Sequence, residues 1–209
     1  MSRINLLELF AGSRSVGKVA EEKGVNVFSV DWQKFDKIDL AIDIEYLQKS
    51  DIPFIPDIIW ASPDCKTYSI AGISTHRNGT EPKSEYAKKC DKVNQHFINL
   101  INEWLIINPN LVFFIENPRG MLRKMPFMKQ FTRHTIWYCQ YGDNRAKPTD
   151  IWTNSKKWIP KKVCYNGNKN CHHEPAPRGS KTGTQGIKDS YNRSIIPKLL
   201  CEEIINSIL

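Results

Sequence analysis

The chain has no uninterrupted apolar run long enough to cross a bilayer, which weighs against a membrane-spanning protein. Its first residues pass directly into a strand-like run that contains an acid, unlike a secretory signal. Six cysteines occur without regular spacing, so a disulfide framework is not expected and a reducing, cytoplasmic setting is. Cys164, Cys171, His172 and His173 invite a zinc reading. However, the six residues between those cysteines match no common structural site, and adjacent histidines rarely both ligate one ion, so core or surface thiols are expected, with a local metal clip on a loop-rich insertion as the alternative. The three-glycine dinucleotide fingerprint is also missing.

What is present fits one α/β core with a small appendage: 209 residues, 40% of them hydrophobic. The run from Ile4 to Phe10 is strand-like and leads into Ala11-Gly12-Ser13-Arg14-Ser15. Val16, Val19 and Ala20 then recur at helical spacing up to Gly24. A glycine-bearing turn before a helix N-terminus lets a ligand approach the backbone. A second strand from Val25 to Val30 ends in Asp31-Trp32, an acid able to accept from ribose hydroxyls beside a ring able to stack on a base. A third run, Ile58-Ile59-Trp60-Ala61, is stopped by Ser62-Pro63-Asp64, which puts Cys65 just past a strand's carboxyl end. A fourth, Leu111 to Ile115, stops at Glu116-Asn117-Pro118. A thiol and a carboxylic acid at two strand tips make a nucleophile and acid pair. Either half alone is more often a buried cysteine or a helix cap.

Between them, Tyr86, Cys90, Val93, Phe97, Leu100, Ile101, Trp104 and Leu105 predict a long helix ended by Pro109, its stripe packing on the sheet. The stretch from Ser74 to Lys83 is polar. Ile195, Leu199, Leu200, Ile204, Ile205 and Ile208 predict a final amphipathic helix. The net charge is +8, and its excess is concentrated. Lys156, Lys157, Lys161, Lys162, Lys169, Arg178, Lys181 and Lys188 face only Glu174 and Asp189 between 153 and 190. Such clustering fits phosphate contacts, with a solvated lysine-rich face as the alternative. Proline, glycine, asparagine and serine run through the same segment, which reads as a loop-rich insertion. The expected organisation is a catalytic unit over 1–152, a basic insertion over 153–190 and a returning helix over 191–209.

Taken together, these segments resemble the cytosine-C5 DNA methyltransferases, which use S-adenosylmethionine. Glu8-Leu9-Phe10-Ala11-Gly12 is similar to the family's first motif, Asp31-Trp32 to its second and Asp43-Ile44 to its third. Ser62-Pro63-Asp64-Cys65-Lys66-Thr67-Tyr68-Ser69 is similar to the nucleophile loop, and Glu116-Asn117-Pro118 to the Glu-Asn-Val motif. Tyr141-Gly142 with Arg145 and Lys147 is a looser match, and Arg193-Ser194-Ile195-Ile196-Pro197 is similar to the opening of the last motif. Asp64, Lys66, Pro118, Thr149 and Ser194 depart from the usual residues and mark a divergent branch.

The resemblance implies a Rossmann-like S-adenosylmethionine-dependent fold and methylation of carbon 5 of a flipped-out cytosine in duplex DNA. It implies Cys65 as nucleophile, Glu116 as acid, and Arg145 or Lys147 as the cation beside them. It also implies a loop closing over the target base from Ser74 to Lys83, with a disordered connection as the alternative. Phe10, Ala11, Gly12, Ser13, Asp31, Trp32, Asp43, Ile44 and Ser194 are the implied cofactor residues. The insertion falls where the family's target-recognition region lies, so Lys161, Lys162 and Arg178 are the expected DNA contacts. A monomer in a phage or restriction setting is favoured. The alternatives are an RNA cytosine or other pyrimidine C5 transferase, and an idle DNA-binding protein on the same scaffold.

Overall fold

The structure, a computed structural model, describes residues 3–175, 187 and 189–209. Arg178, expected to contact DNA, lies outside the described residues.

The chain opens with β1 (Asn5–Leu9), α1 (Ser15–Glu22), β2 (Asn26–Asp31) and the short β3 (Leu40–Ala41). β4 (Ile58–Ala61) precedes a single helical turn, α2 (Ile73–His76), and a small hairpin of β5 (Arg77–Asn78) and β6 (Glu81–Pro82). The long α3 (Glu85–Ile107) leads to β7 (Val112–Pro118), β8 (Arg133–Trp137) and β9 (Pro148–Thr153). α4 (Ser190–Ser194) and α5 (Lys198–Asn206) finish the described chain. The main sheet has the order β3-β2-β1-β4-β7-β9-β8. β1 to β4 and β7 run parallel, while β9 runs antiparallel between β7 and β8. This is the mostly parallel α/β architecture expected of a Rossmann-like methyltransferase. The strand order reverses between β1 and β4, the switch point outside which such sheets bind ligands.

Side-chain alternation along the strands fills two cores. Leu6, Ile58, Trp60 and Phe114 point to the face covered by α1 and α5, where Val16, Val19, Leu200 and Ile204 meet them. Leu7, Leu9, Ile59, Ala61, Phe113 and Ile115 point to the other face, covered by α3 through Phe97, Ile101 and Trp104. Ser84 caps α3 by accepting from the Ala87 N–H, and Pro109 lies just beyond its end. Within the two predicted helical stripes, Tyr86, Ile195 and Leu199 are exposed and take no part in the core.

Two expectations are corrected. Glu116 and Asn117 do not lie past a strand tip. β7 continues through them because Glu116, Asn117 and Pro118 pair with Ile151, Asp150 and Thr149 of β9. The stretch from Ser74 to Lys83 is ordered, forming α2 and the β5–β6 hairpin. The segment after β9 is anchored to the catalytic core by Trp158, whose ring meets Phe114 edge-on and whose indole N–H donates to Glu203.

Candidate active site

The turn after β1 carries three residues in the left-handed region: Phe10 (φ 55°), Gly12 (φ 47°) and Arg14 (φ 53°). Arg14 stands at the N-terminus of α1 and has no side-chain cap of its own. Glu8 supplies the cap from the neighbouring strand. Its Oε1 accepts from the N–H groups of Val16 (3.2 Å) and Gly17 (3.0 Å), and its Oε2 from the Ser29 hydroxyl (3.0 Å). Gly17 is required there, because a Cβ would collide with Glu8 Oε2. Burial outweighs these bonds and pushes the Glu8 carboxyl up to about 7.

Asp31 ends β2 with its carboxylate turned toward that turn, accepting from the N–H groups of Gly12 and Gln33, both at 2.9 Å. It is buried, and desolvation raises its pKa despite those bonds. Each carboxylate oxygen keeps a second lone-pair direction for a hydroxyl. Trp32 beside it is 69% exposed, so a ring face is open for stacking. Asp43 caps a short turn by accepting from Glu45 N–H and pairs with Lys89 (2.6 Å). Partial desolvation pushes its carboxyl up, but those two partners outweigh it and hold it below the usual range. Ile44 is a core residue packed under the sheet, and Ala11 is buried. The Ser13 hydroxyl bonds that of Ser15 (2.8 Å), which in turn accepts from Ile196 N–H (3.1 Å). The segment holding Ser194 is thereby tied to the same turn, although the Ser194 hydroxyl itself donates to the Tyr191 carbonyl (2.7 Å). Tyr191 meets Phe35 ring to ring at 5.6 Å.

Cys65 follows β4 in a loop fixed from several directions. Asn117 donates to the Pro63 carbonyl (2.8 Å), and Met121 N–H to that of Tyr68 (2.7 Å). A Cβ at Gly120 would strike the Tyr68 carbonyl, so this approach needs glycine. Behind the loop lies a buried polar network that sequence reasoning missed. Arg77 reaches both oxygens of Asp91 (2.6 and 3.0 Å), the Thr67 carbonyl (3.0 Å) and the Thr67 hydroxyl (3.2 Å). The Tyr68 hydroxyl donates to Asp91 (2.6 Å) and accepts from Asn94 (2.7 Å). Arg77 also stacks 4.1 Å over the Tyr68 ring. The signal for it was Asp91 and Asn94 on the helix's buried side, where the apolar stripe is broken.

Burial pushes the Cys65 thiol up to about 11, with the Asp64 and Glu116 charges adding and Lys147 opposing. Asp64, Glu116 and Lys147 thus all act electrostatically on this thiol. Glu116 is buried and desolvation raises its pKa, against Lys147 and the Tyr138 hydroxyl, which donates to its Oε1 at 2.9 Å. Burial lowers the Lys147 ammonium, which lies 4.4 Å above the Tyr138 ring and donates to the Arg193 carbonyl (3.0 Å). Arg145 has other commitments. Its guanidinium pairs with Asp143 and donates to the carbonyls of Arg193 and Ile195 (both 3.3 Å), so it braces the C-terminal segment, while the Lys147 charge acts on the thiol. Lys161 and Lys162 are exposed; Lys161 donates to the Gln140 carbonyl (3.1 Å) and sits over the Tyr141 ring.

Comparison with known proteins decides the relationship. A Frog virus 3 (isolate Goorha) protein named as a probable DNA (cytosine-5)-methyltransferase is 26% identical over 161 residues, covering 76% of this chain and 74% of the relative. The chain is thus similar to a cytosine-C5 methyltransferase in sequence over three quarters of its length. No family model matches it. The fold is that of solved methyltransferases. The Entamoeba histolytica enzyme EhMeth superposes with a TM-score of 0.57 at 15% identity, over 78% of this chain and 57% of that one. S. pombe Dnmt2 methyltransferase matches at 0.50 and 12%, over 78% and 52%. A Spodoptera frugiperda DNMT2 mutant matches at 0.50 and 18%, over 83% and 57%. The chain thus spans little more than half the length of these solved methyltransferases.

Proposed function

We propose that the chain transfers a methyl group from S-adenosylmethionine to carbon 5 of cytosine in DNA, through a covalent Cys65 adduct on a base flipped from the stack. The observation that most supports this reading is that the charges of Glu116 and Lys147 both act on the Cys65 thiol, which follows β4, the strand paired with β1. The viral relative's name favours DNA as the substrate. The residues around the turn fit the cofactor: a glycine at positive φ, a buried acid with acceptor capacity to spare, and an exposed indole. Phe10, Gly12 and Ser13 would lie along it, Asp31 would hold the ribose and Trp32 the adenine, with Asp43 beyond them.

The chemistry of these side chains follows from cytosine itself. Carbon 5 is a weak nucleophile until the Cys65 sulfur bonds to carbon 6 and the ring becomes enamine-like. The addition leaves electron density toward ring nitrogen 3, where a protonated Glu116 donates. Burial favours that protonated form, and the Tyr138 hydroxyl fixes the carboxyl's orientation. Lys147 supplies the positive charge that favours sulfur as thiolate. Bound S-adenosylmethionine supplies an electrophilic methyl group to the activated carbon. Loss of the carbon-5 proton and cleavage of the carbon–sulfur bond then restore the aromatic ring and free Cys65.

The test is incubation with labelled S-adenosylmethionine and, separately, duplex DNA, single-stranded DNA and RNA, followed by nucleoside mass spectrometry. The expected product is 5-methylcytosine in duplex DNA, absent with Cys65→Ala. Product only in RNA would move the substrate to the alternative reading, and no product with any nucleic acid would favour an idle scaffold.

A further inference from the structure

Away from the catalytic groups, four side chains from distant parts of the sequence converge. Cys139 lies in the turn after β8, and Cys164, Cys171 and His173 lie in the segment after β9. One donor atom from each falls within 4.8 Å of all the others. Cys164 Sγ and His173 Nδ1 are 3.9 Å apart. Zinc bonds of about 2.3 Å to sulfur and about 2.0 Å to nitrogen put tetrahedral corners roughly 3.5–3.8 Å from one another, close to this spacing. Three of the four residues are buried, beside Trp137 and Ala146.

The surroundings suit thiolates. The Gln140 amide N–H groups lie 3.8 Å from both Cys139 Sγ and Cys171 Sγ, and that of Asn168 lies 3.4 Å from Cys164 Sγ. Such donors offset negative charge on metal-bound sulfur. The His173 ring is buried among three thiols, and its Nε2 has no hydrogen-bond partner among the described residues. Nδ1 is the ring atom turned to the Cys164 sulfur and the one that a metal among the thiols would take.

We propose that Cys139, Cys164, Cys171 and His173 hold one Zn2+ ion in a closed, tetrahedral, structural site. On binding, three thiol protons pass to solvent, three zinc–sulfur bonds and one zinc–nitrogen bond form, and no electron is transferred. A sulfur-rich tetrahedral set selects zinc over harder ions, and four protein ligands leave no open position for catalysis. The site clips the segment from 154 to 175, which contains no helix or multi-residue strand, onto the end of β8. His172 faces away and bonds the Asp143 carbonyl (3.0 Å), so it is excluded from the ligand set. Sequence spacing hid the arrangement because Cys139 stands 25 residues before Cys164.

The experiment measures metal in the full chain purified without added zinc, by plasma mass spectrometry. One zinc per chain is expected, retained in His172→Ala and lost in Cys139→Ser and His173→Ala. Exchange with Co2+ should give the visible absorption of tetrahedral, thiolate-bound cobalt. If the two ligand variants do not fold, wild-type zinc content and the cobalt spectrum decide alone. A metal-free wild-type chain, a disulfide among these cysteines, bound iron, or zinc persisting in folded Cys139→Ser would each overturn the proposal.

Discussion

Cys65 rests as a protonated thiol at neutral pH, and the balance of charges around it sets how much thiolate it can offer. Lys147 lowers its pKa, whereas burial, Asp64 and Glu116 raise it. Lys147→Met should therefore slow alkylation of Cys65 by iodoacetamide several-fold at pH 8, read by peptide mass spectrometry. An unchanged rate would remove Lys147 from the activation of the thiol. Cys65 was legible because Ser-Pro-Asp ends an apolar strand abruptly, and Glu116 because an acid follows a second such strand. Glu116's true setting was not legible. An antiparallel neighbour, β9, carries the strand through it, and a partner strand leaves no local trace in the sequence of β7. The division of labour between Arg145 and Lys147 was hidden in the same way, because it depends on carbonyls some fifty residues further on.

At the scale of elements, the junction of β1 and α1 is where stability and function meet. Glu8 caps α1 from the strand beside it, and its pKa is raised from 4.5 to about 7 by burial. A raised carboxyl pKa means that the folded state prefers the protonated form. Its stabilising contribution is fully present below pH 4.5 and is lost as the pH rises through 7. The shift corresponds to on the order of 3 kcal/mol. Glu8→Gln mimics the neutral carboxyl, so its stability relative to wild type should increase between pH 5 and 8, measured by denaturant unfolding. A constant difference across that range would show that Glu8 is not titrating. β1, β2 and β4 were readable as apolar runs closed by turn residues, and α1 and α3 from the helical spacing of their apolar residues. β8 and β9 were not. β9 is a short, fully flanked strand opening with proline, and β8 begins with Arg133 and His134, so neither shows alternation over enough residues to register.

For the whole molecule, the mostly parallel sheet sets Cys65, Glu116 and the turn after β1 on the neighbouring strands β4, β7 and β1, and Trp158 ties the basic segment after β9 to Phe114 and Glu203. Most contacts from so short a segment should go to phosphates, with few to base edges. Neutralising exposed Lys161 and Lys162 together should weaken DNA binding and flatten its dependence on salt, as read by fluorescence anisotropy across a salt series. An unchanged salt slope would place the phosphate contacts elsewhere. Covalent bonding of Cys65 to the cytosine ring can be trapped. A duplex carrying 5-fluorocytosine has no carbon-5 proton to lose after methyl transfer, so the carbon–sulfur bond cannot be released. With S-adenosylmethionine present, the wild-type chain should form a denaturation-resistant protein–DNA adduct that peptide mass spectrometry maps to Cys65, and Cys65→Ser should form none. No adduct from the active wild-type chain, or an adduct mapped to another cysteine, would contradict the account.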